Sequence, residues 1–204
     1  MVASNAGLSL RRHYSTISVM DFEVDKVMDV VTCLLPAAGI DAVMIGGHAV
    51  NHYGVSRATQ DIDFMVAAAD VDAVRRIMHA EGFTNVAVHE TVIFFNQPGT
   101  ALRVVFLKVD RETMDRLLAN AKEVEYFGGQ GVRVPQLKDL LAMKLFALSR
   151  GGAKREDKDF SDIVHLVIEN HVPTDRELLE LCRQFADDAT HARLCARIKE
   201  LQDD

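Results

Sequence analysis

Asp61 and Asp63 stand two residues apart in Asp61-Ile62-Asp63-Phe64-Met65-Val66, where acidic and apolar side chains alternate before the run turns wholly apolar. That pattern predicts a strand over Ile62–Val66 with both carboxylates on one face, their Cα atoms roughly 6.5–7 Å apart. Two carboxylates facing the same way repel each other and need a reason. A Mg²⁺ ion held by one or two carboxylates, water and substrate phosphates supplies one, and a pair of such ions can activate an attacking hydroxyl and stabilise a leaving pyrophosphate. Upstream, the apolar run Ala42–Ile45 predicts a buried strand ending at Gly46-Gly47, and thirteen residues separate Gly47 from Asp61. A Gly-Gly pair lets the backbone turn sharply and approach a ligand closely. A helix starting there would offer N–H groups and a positive dipole end to phosphate. A lone Gly-Gly is more often a plain turn, and a lone Asp-x-Asp a solvated turn or helix cap. Their combination around two apolar strands favours a metal site.

Other side chains carry weaker signals. Arg57 precedes the acidic strand, where it either neutralises phosphate or is simply exposed. His48 and His52 are four apart, a metal-like spacing that lacks a third ligand and reads as packing. Asp159 and Asp162 share a helix face at i, i+3, with either a structural partner such as Lys144 or Arg150 or a bound substrate in reach. Lys144 sits among Leu140, Leu141 and Leu148, where a snorkelling lysine is the ordinary reading. Cys33, Cys182 and Cys195 form no CxxC or Cys/His pattern and read as buried reduced thiols of a cytoplasmic protein.

The elements that must position these groups follow from periodicity. A helix is predicted over Met20–Pro36, capped by Asp21, with Val24, Val27, Met28, Val31, Leu34 and Leu35 inward. Short helices are predicted over His48–Tyr53 and from Asp70 to Ala80. Asn85–Phe95 and Leu102–Val109 flank Gln97-Pro98-Gly99 as a hairpin, and Val124–Phe127 and Val132–Val134 flank a glycine-rich turn. Four helical segments follow: Leu137–Ser149, Phe160–Glu169, Asp175–Phe185 and Thr190–Leu201. The expected class is α+β: a small mixed or antiparallel sheet with flanking helices, then a C-terminal helical bundle. The expected division is a leader at 1–18, a core at 19–134 and a helical region at 135–204.

Composition sets the outer limits. The 204 residues are 49 % hydrophobic and 26 % charged, with 23 Lys+Arg against 30 Asp+Glu and a net charge of -7. Such a chain folds rather than staying disordered. Its acidity gives no broad basic surface for nucleic acid. No apolar run is long enough for a membrane span, and Arg11, Arg12 and His13 are not followed by a signal-peptide core. A local basic cluster at Arg150, Lys154 and Arg155 adjoins Gly151-Gly152, either a loop that closes over substrate or a solvated connection.

Strand, Gly-Gly, about a dozen residues and Asp-x-Asp on the next strand resemble the nucleotidyltransferase superfamily with the polymerase-beta-like core. Arg57-Ala58-Thr59-Gln60-Asp61-Ile62-Asp63 is similar to the AbiEii/AbiGii-like members of bacterial abortive-infection and toxin–antitoxin systems. Leu140–Ala147 resembles that family's Lys-bearing helix, and Lys158-Asp159-Phe160-Ser161-Asp162-Ile163 its final Asp-x-x-Asp motif. The resemblance spans about residues 42 to 168. It implies an enzyme that moves a nucleoside monophosphate from an NTP, ATP first among them, to a hydroxyl acceptor (tRNA, protein or small molecule). Asp61 and Asp63 would be the catalytic ligands of Mg²⁺ or Mn²⁺. Gly46, Gly47, Arg57 and Lys144 would hold the nucleotide.

One departure bears on chemistry. Active members carry a third acid on a nearby strand, in a pattern like Arg-hydrophobic-Asp-hydrophobic-Leu; here the run is Arg103-Val104-Val105-Phe106-Leu107, with Val105 at the acid's place. Three outcomes follow. Another acid substitutes: Glu90 falls diagonally beside Val105 if the hairpin closes symmetrically about Pro98, and Asp110 is a less well placed candidate. Or two aspartates suffice for slower transfer. Or the chain binds nucleotide without turnover.

Overall fold

The computed structural model describes residues 19–126, 129–151 and 155–203. The expected leader, and Gly152 and Lys154 of the expected basic loop, lie outside the described residues. Seven strands are described: β1 (Val43–Ile45), β2 (Asp61–Ala67), β3 (Thr84–Val88), β4 (Val92–Asn96), β5 (Arg103–Val109), β6 (Lys122–Tyr126) and β7 (Gln130–Val134). The first five form one sheet in the order β1-β2-β5-β4-β3, and β6 and β7 form a separate two-stranded ribbon. β2 and β5 run parallel, while the other neighbours in the sheet are antiparallel. The α+β class holds.

Among the described residues the longer helices are α1 (Val19–Asp29), α2 (Gly46–His52), α3 (Val71–Ala80), α4 (Arg111–Asn120), α5 (Leu137–Arg150), α6 (Ser161–Glu169), α7 (Glu177–Phe185) and α8 (Asp188–Asp203). The period-2 alternation of β2 sorts its side chains cleanly. Ile62, Phe64 and Val66 face a core closed by Val27 and Met28 of α1 and Val74 and Met78 of α3. Met65 and Ala67 face a smaller core with Val43, Ile45 and, from α4, Met114 and Leu117. Asp61 and Asp63 belong by parity to this second face. They lie at its N-terminal end, half-buried.

The third core joins α2 to the C-terminal helices: Ala49, Val50 and Val55 pack with Leu140, Leu141, Leu145, Ile163, Val164, Leu178 and Leu194. Tyr53 Oη donates to Pro135 O at 2.7 Å, and Asn170 Nδ2 donates to Tyr53 O at 3.0 Å. The turn after Gly46-Gly47 is thus fastened to the helices that carry Lys144 and Asp162.

Several boundaries differ from the periodicity reading, each for a local reason. The first helix passes after Asp29 into a π-helical turn, Val30–Leu34. The wider turn shifts the stripe, so Val30 is buried while Leu34 is 37 % exposed and Cys33 is exposed rather than buried. Val19 and Met20 are already helical, so Asp21 lies inside the helix and is not its cap. α2 begins at Gly46 itself, not after the glycines. Asp70 makes no capping bond; its carboxylate accepts from Arg111 Nη2 at 2.7 Å. Asn85–Phe95 is not one strand but β3 and β4, joined through His89–Thr91 with His89 N donating to Val92 O. α4, unassigned by periodicity, is capped by Asp110, whose Oδ1 accepts from Thr113 N at 2.7 Å.

Candidate active site

Gly46 has φ +66, in the left-handed region, and an added Cβ would lie 2.7 Å from Asp63 Cγ. Its backbone is therefore pressed against the Asp63 carboxylate, which is possible only without a side chain. A Cβ on Gly47 would lie 2.8 Å from Thr59 Cβ, so the chain entering β2 rests on the second glycine. Asn51 of α2 sets the loop between: its Nδ2 donates to Arg57 O, and its Oδ1 accepts from Arg57 N, both at 3.0 Å. This side-chain clasp fixes the Arg57 backbone and aims its guanidinium at α6.

Arg57 Nη1 donates to Asp162 Oδ2 at 2.9 Å. Lys144 Nζ donates to the same oxygen at 2.6 Å and to Asp159 Oδ1 at 2.8 Å. Arg155 Nη1 reaches Asp159 Oδ2 at 3.3 Å. Lys144, Asp159 and Asp162 are all buried, Asp159 being 1 % exposed. Three cations face these two carboxylates, Arg155 from a largely exposed position. Lys144 is a member of the buried stripe of α5 and not a snorkelling lysine. Asp159 occupies a π-helical turn, Glu156–Phe160, that precedes α6. Asp159 and Asp162, three apart, face the same ammonium as their spacing predicts.

Burial raises the pKa of Asp63. Lys158 is the strongest opposing influence, the Asp61 charge adds to the rise, and Lys144 and Arg57 oppose it. Lys158 is held below the usual lysine value by burial first and by Arg57 next, with Asp63 acting the other way. Asp63 thus sits at the junction of an acidic strand and a cationic wall.

Asp61 has a different partner. Arg103 Nε donates to Asp61 Oδ1 at 2.9 Å and Arg103 Nη2 to Asp61 Oδ2 at 2.5 Å, a fork-to-fork ion pair. The register explains it: Asp61 pairs with Arg103 and Asp63 with Val105 across the parallel β2–β5 ladder. Val105 is therefore the direct same-face neighbour of Asp63. On its other side Val105 pairs with Phe94, over whose ring the Arg103 guanidinium carbon lies at 5.5 Å.

Asp61 and Asp63 supply hard oxygen donors on one face. Among the described residues no group of three His, Cys, Asp or Glu could cage a metal. This pair fits Mg²⁺ or Mn²⁺ that keeps water and takes its remaining ligands from phosphates.

The sequence model described as "Nucleotidyl transferase AbiEii toxin, Type IV TA system" matches residues 33–203. The chain belongs to the AbiEii nucleotidyltransferase toxin family. No curated protein is a significant sequence match. Solved structures share the fold. A nucleotidyltransferase-like antigenic protein from Paracoccidioides brasiliensis is 21 % identical, with 86 % of this chain and 88 % of that one covered, at a TM-score of 0.52. ANT(2")-Ia in complex with adenylyl-2"-tobramycin is 10 % identical, with 88 % and 99 % covered, at a TM-score of 0.58.

Within this AbiEii-family fold, Gly46, Gly47, Arg57, Asp61, Asp63, Lys144, Asp159 and Asp162 converge through the contacts above. Glu90 does not. The β4–β5 hairpin closes so that Phe94, not Glu90, stands across from Val105. Glu90 lies exposed in the β3–β4 turn, four residues and roughly 13 Å along the strand direction from Phe94. Asp110 is likewise spent: two hydrogen bonds from Thr113 lower its pKa and tie it to α4. The two histidines diverge. His48 Nδ1 lies 3.1 Å from Tyr126 Oη, while His52 meets the Tyr53 ring edge-on. Arg150 stacks on Phe146 at 5.2 Å and Arg155 reaches Asp159, while Lys154, the third member of the basic cluster, lies outside the described residues. Sequence reasoning missed Arg103 and Lys158 as site residues. Arg103 carried a signal: it stands two before Val105 as Asp61 stands two before Asp63.

Proposed function

We propose that this AbiEii-family nucleotidyltransferase is metal-dependent. It transfers the NMP of an NTP, ATP first, to a hydroxyl acceptor and releases pyrophosphate, acting in the cytoplasm as the toxin component of a toxin–antitoxin or abortive-infection pair. The observation that carries the reading is the contact of Gly46 with Asp63 beside Asp61: a left-handed glycine laid on one of two same-face carboxylates. Asp61 and Asp63 hold Mg²⁺ or Mn²⁺; when bound, that ion neutralises phosphate charge and orients the triphosphate. Gly46 and Gly47 keep the backbone open to the phosphates. Arg57 and Lys144 face them from the cationic wall, with Asp159 and Asp162 holding both in place, and Lys158 adds charge next to Asp63. Residues 19–134 form the transferase core, with Arg57, and 135–204 the helical region that adds Lys144 and Lys158 to this wall. The acceptor is tRNA, a protein or a small molecule, and the adenylylated tobramycin bound by ANT(2")-Ia makes aminoglycosides worth including. Labelled NTPs with Mg²⁺ and each acceptor class test the reading. Labelling by wild type that Asp63→Ala abolishes is expected; equal labelling by wild type and Asp61→Ala/Asp63→Ala would overturn it.

The place of Val105 favours a second reading, nucleotide binding without turnover. Mg-NTP binding seen calorimetrically with no pyrophosphate release would select it.

A further inference from the structure

The Arg103–Asp61 pair occupies both oxygens of a carboxylate that the proposed metal site needs. The Asp61 side chain is 26 % exposed and that of Arg103 47 % exposed, so the pair is open enough to separate. A second, independent feature lies on the other flank of Arg103. Asn96 of β4 is its direct antiparallel partner, which puts the two Cβ atoms about 4.5–5.5 Å apart on the same face. Asn96 Oδ1 is buried and accepts no hydrogen bond from any described residue. A buried amide oxygen without a donor is costly, and a guanidinium is well suited to supply one. Phe94, already under Arg103 at 5.5 Å, offers a surface along which the side chain can shift while keeping its cation–π contact.

We propose that Arg103 is a metal-displaced latch. It clasps Asp61 in the metal-free chain, and a divalent cation entering at Asp61 and Asp63 drives its guanidinium across Phe94 to the Asn96 carbonyl. Arg103 is thus a positioning residue that sets the metal affinity of this site. It keeps the two adjacent carboxylates from repelling each other while no ion is present. The latch rests on the metal-site reading above.

Direct Mn²⁺ binding to the full chain without nucleotide, followed by electron paramagnetic resonance, tests it. Arg103→Gln is expected to bind Mn²⁺ about tenfold tighter than wild type, because a partly exposed ion pair and a nearby positive charge no longer compete. Arg103→Lys, which keeps the charge but loses the fork, falls between. Asn96→Ala, which removes the landing acceptor, binds about threefold more weakly than wild type, the scale of one net hydrogen bond. A structural role for Arg103 alone would not move the two variants in opposite directions. Thermal melts report fold integrity, and Mn²⁺ should raise the melting temperature of Arg103→Gln more than that of wild type. Equal or weaker binding by Arg103→Gln overturns the latch. Asp63→Asn separates the two readings. Binding abolished by Asp63→Asn but not tightened by Arg103→Gln sinks the latch and leaves the metal site standing. Binding unaffected by Asp63→Asn sinks both.

Discussion

Val105 is paired in register with Asp63 across the parallel β2–β5 ladder, so its side chain shares the face of the two aspartates and lies beside the second. A carboxylate placed there would join Asp61 and Asp63 around one ion. Val105 is 8 % exposed and flanked on its other side by Phe94 rather than by another acid, so its strand neighbour there does not replace the missing group.

Val105→Asp is therefore expected to raise the rate of NMP transfer, by about 10²-fold if the new group deprotonates the acceptor hydroxyl. The change also buries a polar group against Phe94 and costs about 1–3 kcal/mol of stability. Single-turnover transfer of label, measured alongside a denaturant melt, checks both. An unchanged rate with a normal fold would show that the reaction does not use this position.

Gly46→Ala is expected to abolish metal and nucleotide binding while leaving most of the fold. A left-handed alanine costs about 1–2 kcal/mol, and its methyl group would overlap the Asp63 carboxylate, pushing it off the shared face. Calorimetric titration with Mg-NTP reads the loss. Retained affinity in Gly46→Ala would mean that Asp63 is not held where the site requires it.

Much of this site was legible in the sequence because its parts are periodic. The Asp-x-Asp alternation placed both carboxylates on one face, and the glycines after an apolar run marked the close approach that Gly46 makes to Asp63. What was not legible depends on register and turn width. The partner of Val105 turns on where the β4–β5 hairpin closes: a difference of a few residues put Phe94 there and left Glu90 in a distant turn. The Arg103–Asp61 pair follows from a parallel pairing between strands some forty residues apart, which no local pattern encodes. The π-helical turns at Val30–Leu34 and Glu156–Phe160 break the 3.6-residue period on which the helix reading relied. The first exposed Leu34 and Cys33; the second left intact the shared face of Asp159 and Asp162 and their contact with Lys144, which the i, i+3 spacing had already offered. The helix α4 was readable from Asp110 and Thr113 as a cap and escaped because its apolar stripe is narrow.

Lys144→Met is expected to destabilise the protein by about 3–5 kcal/mol, since it strands Asp159 and Asp162 in the interior with one arginine each. The triple change Lys144→Met/Asp159→Asn/Asp162→Asn should recover part of that loss, because neither buried carboxylate is left charged; the recovery is only partial because Arg57, 18 % exposed, then loses Asp162. Urea unfolding of the two variants tests the comparison. A single variant as stable as wild type would mean that solvent, not Lys144, compensates the two carboxylates.

The histidines of α2 give the fold a sensitivity to mild acid. Burial lowers the pKa of His48 below 6.5, and Arg57 lowers it further; burial and then Lys122 do the same to His52. In both cases the unfolded chain takes up protons that the folded chain resists. Unfolding therefore becomes more favourable as pH falls through the unfolded value near 6.5, and the stability is fully present above it. The melting temperature is expected to fall between about pH 7 and pH 5.5, and His48→Gln/His52→Gln should flatten that slope. Because α2 carries Gly46, Gly47 and the Asn51 clasp on Arg57, Mg-NTP affinity should decline over the same window in wild type and less in the double variant. A slope unchanged by removing both imidazoles would place the acid sensitivity elsewhere in the chain.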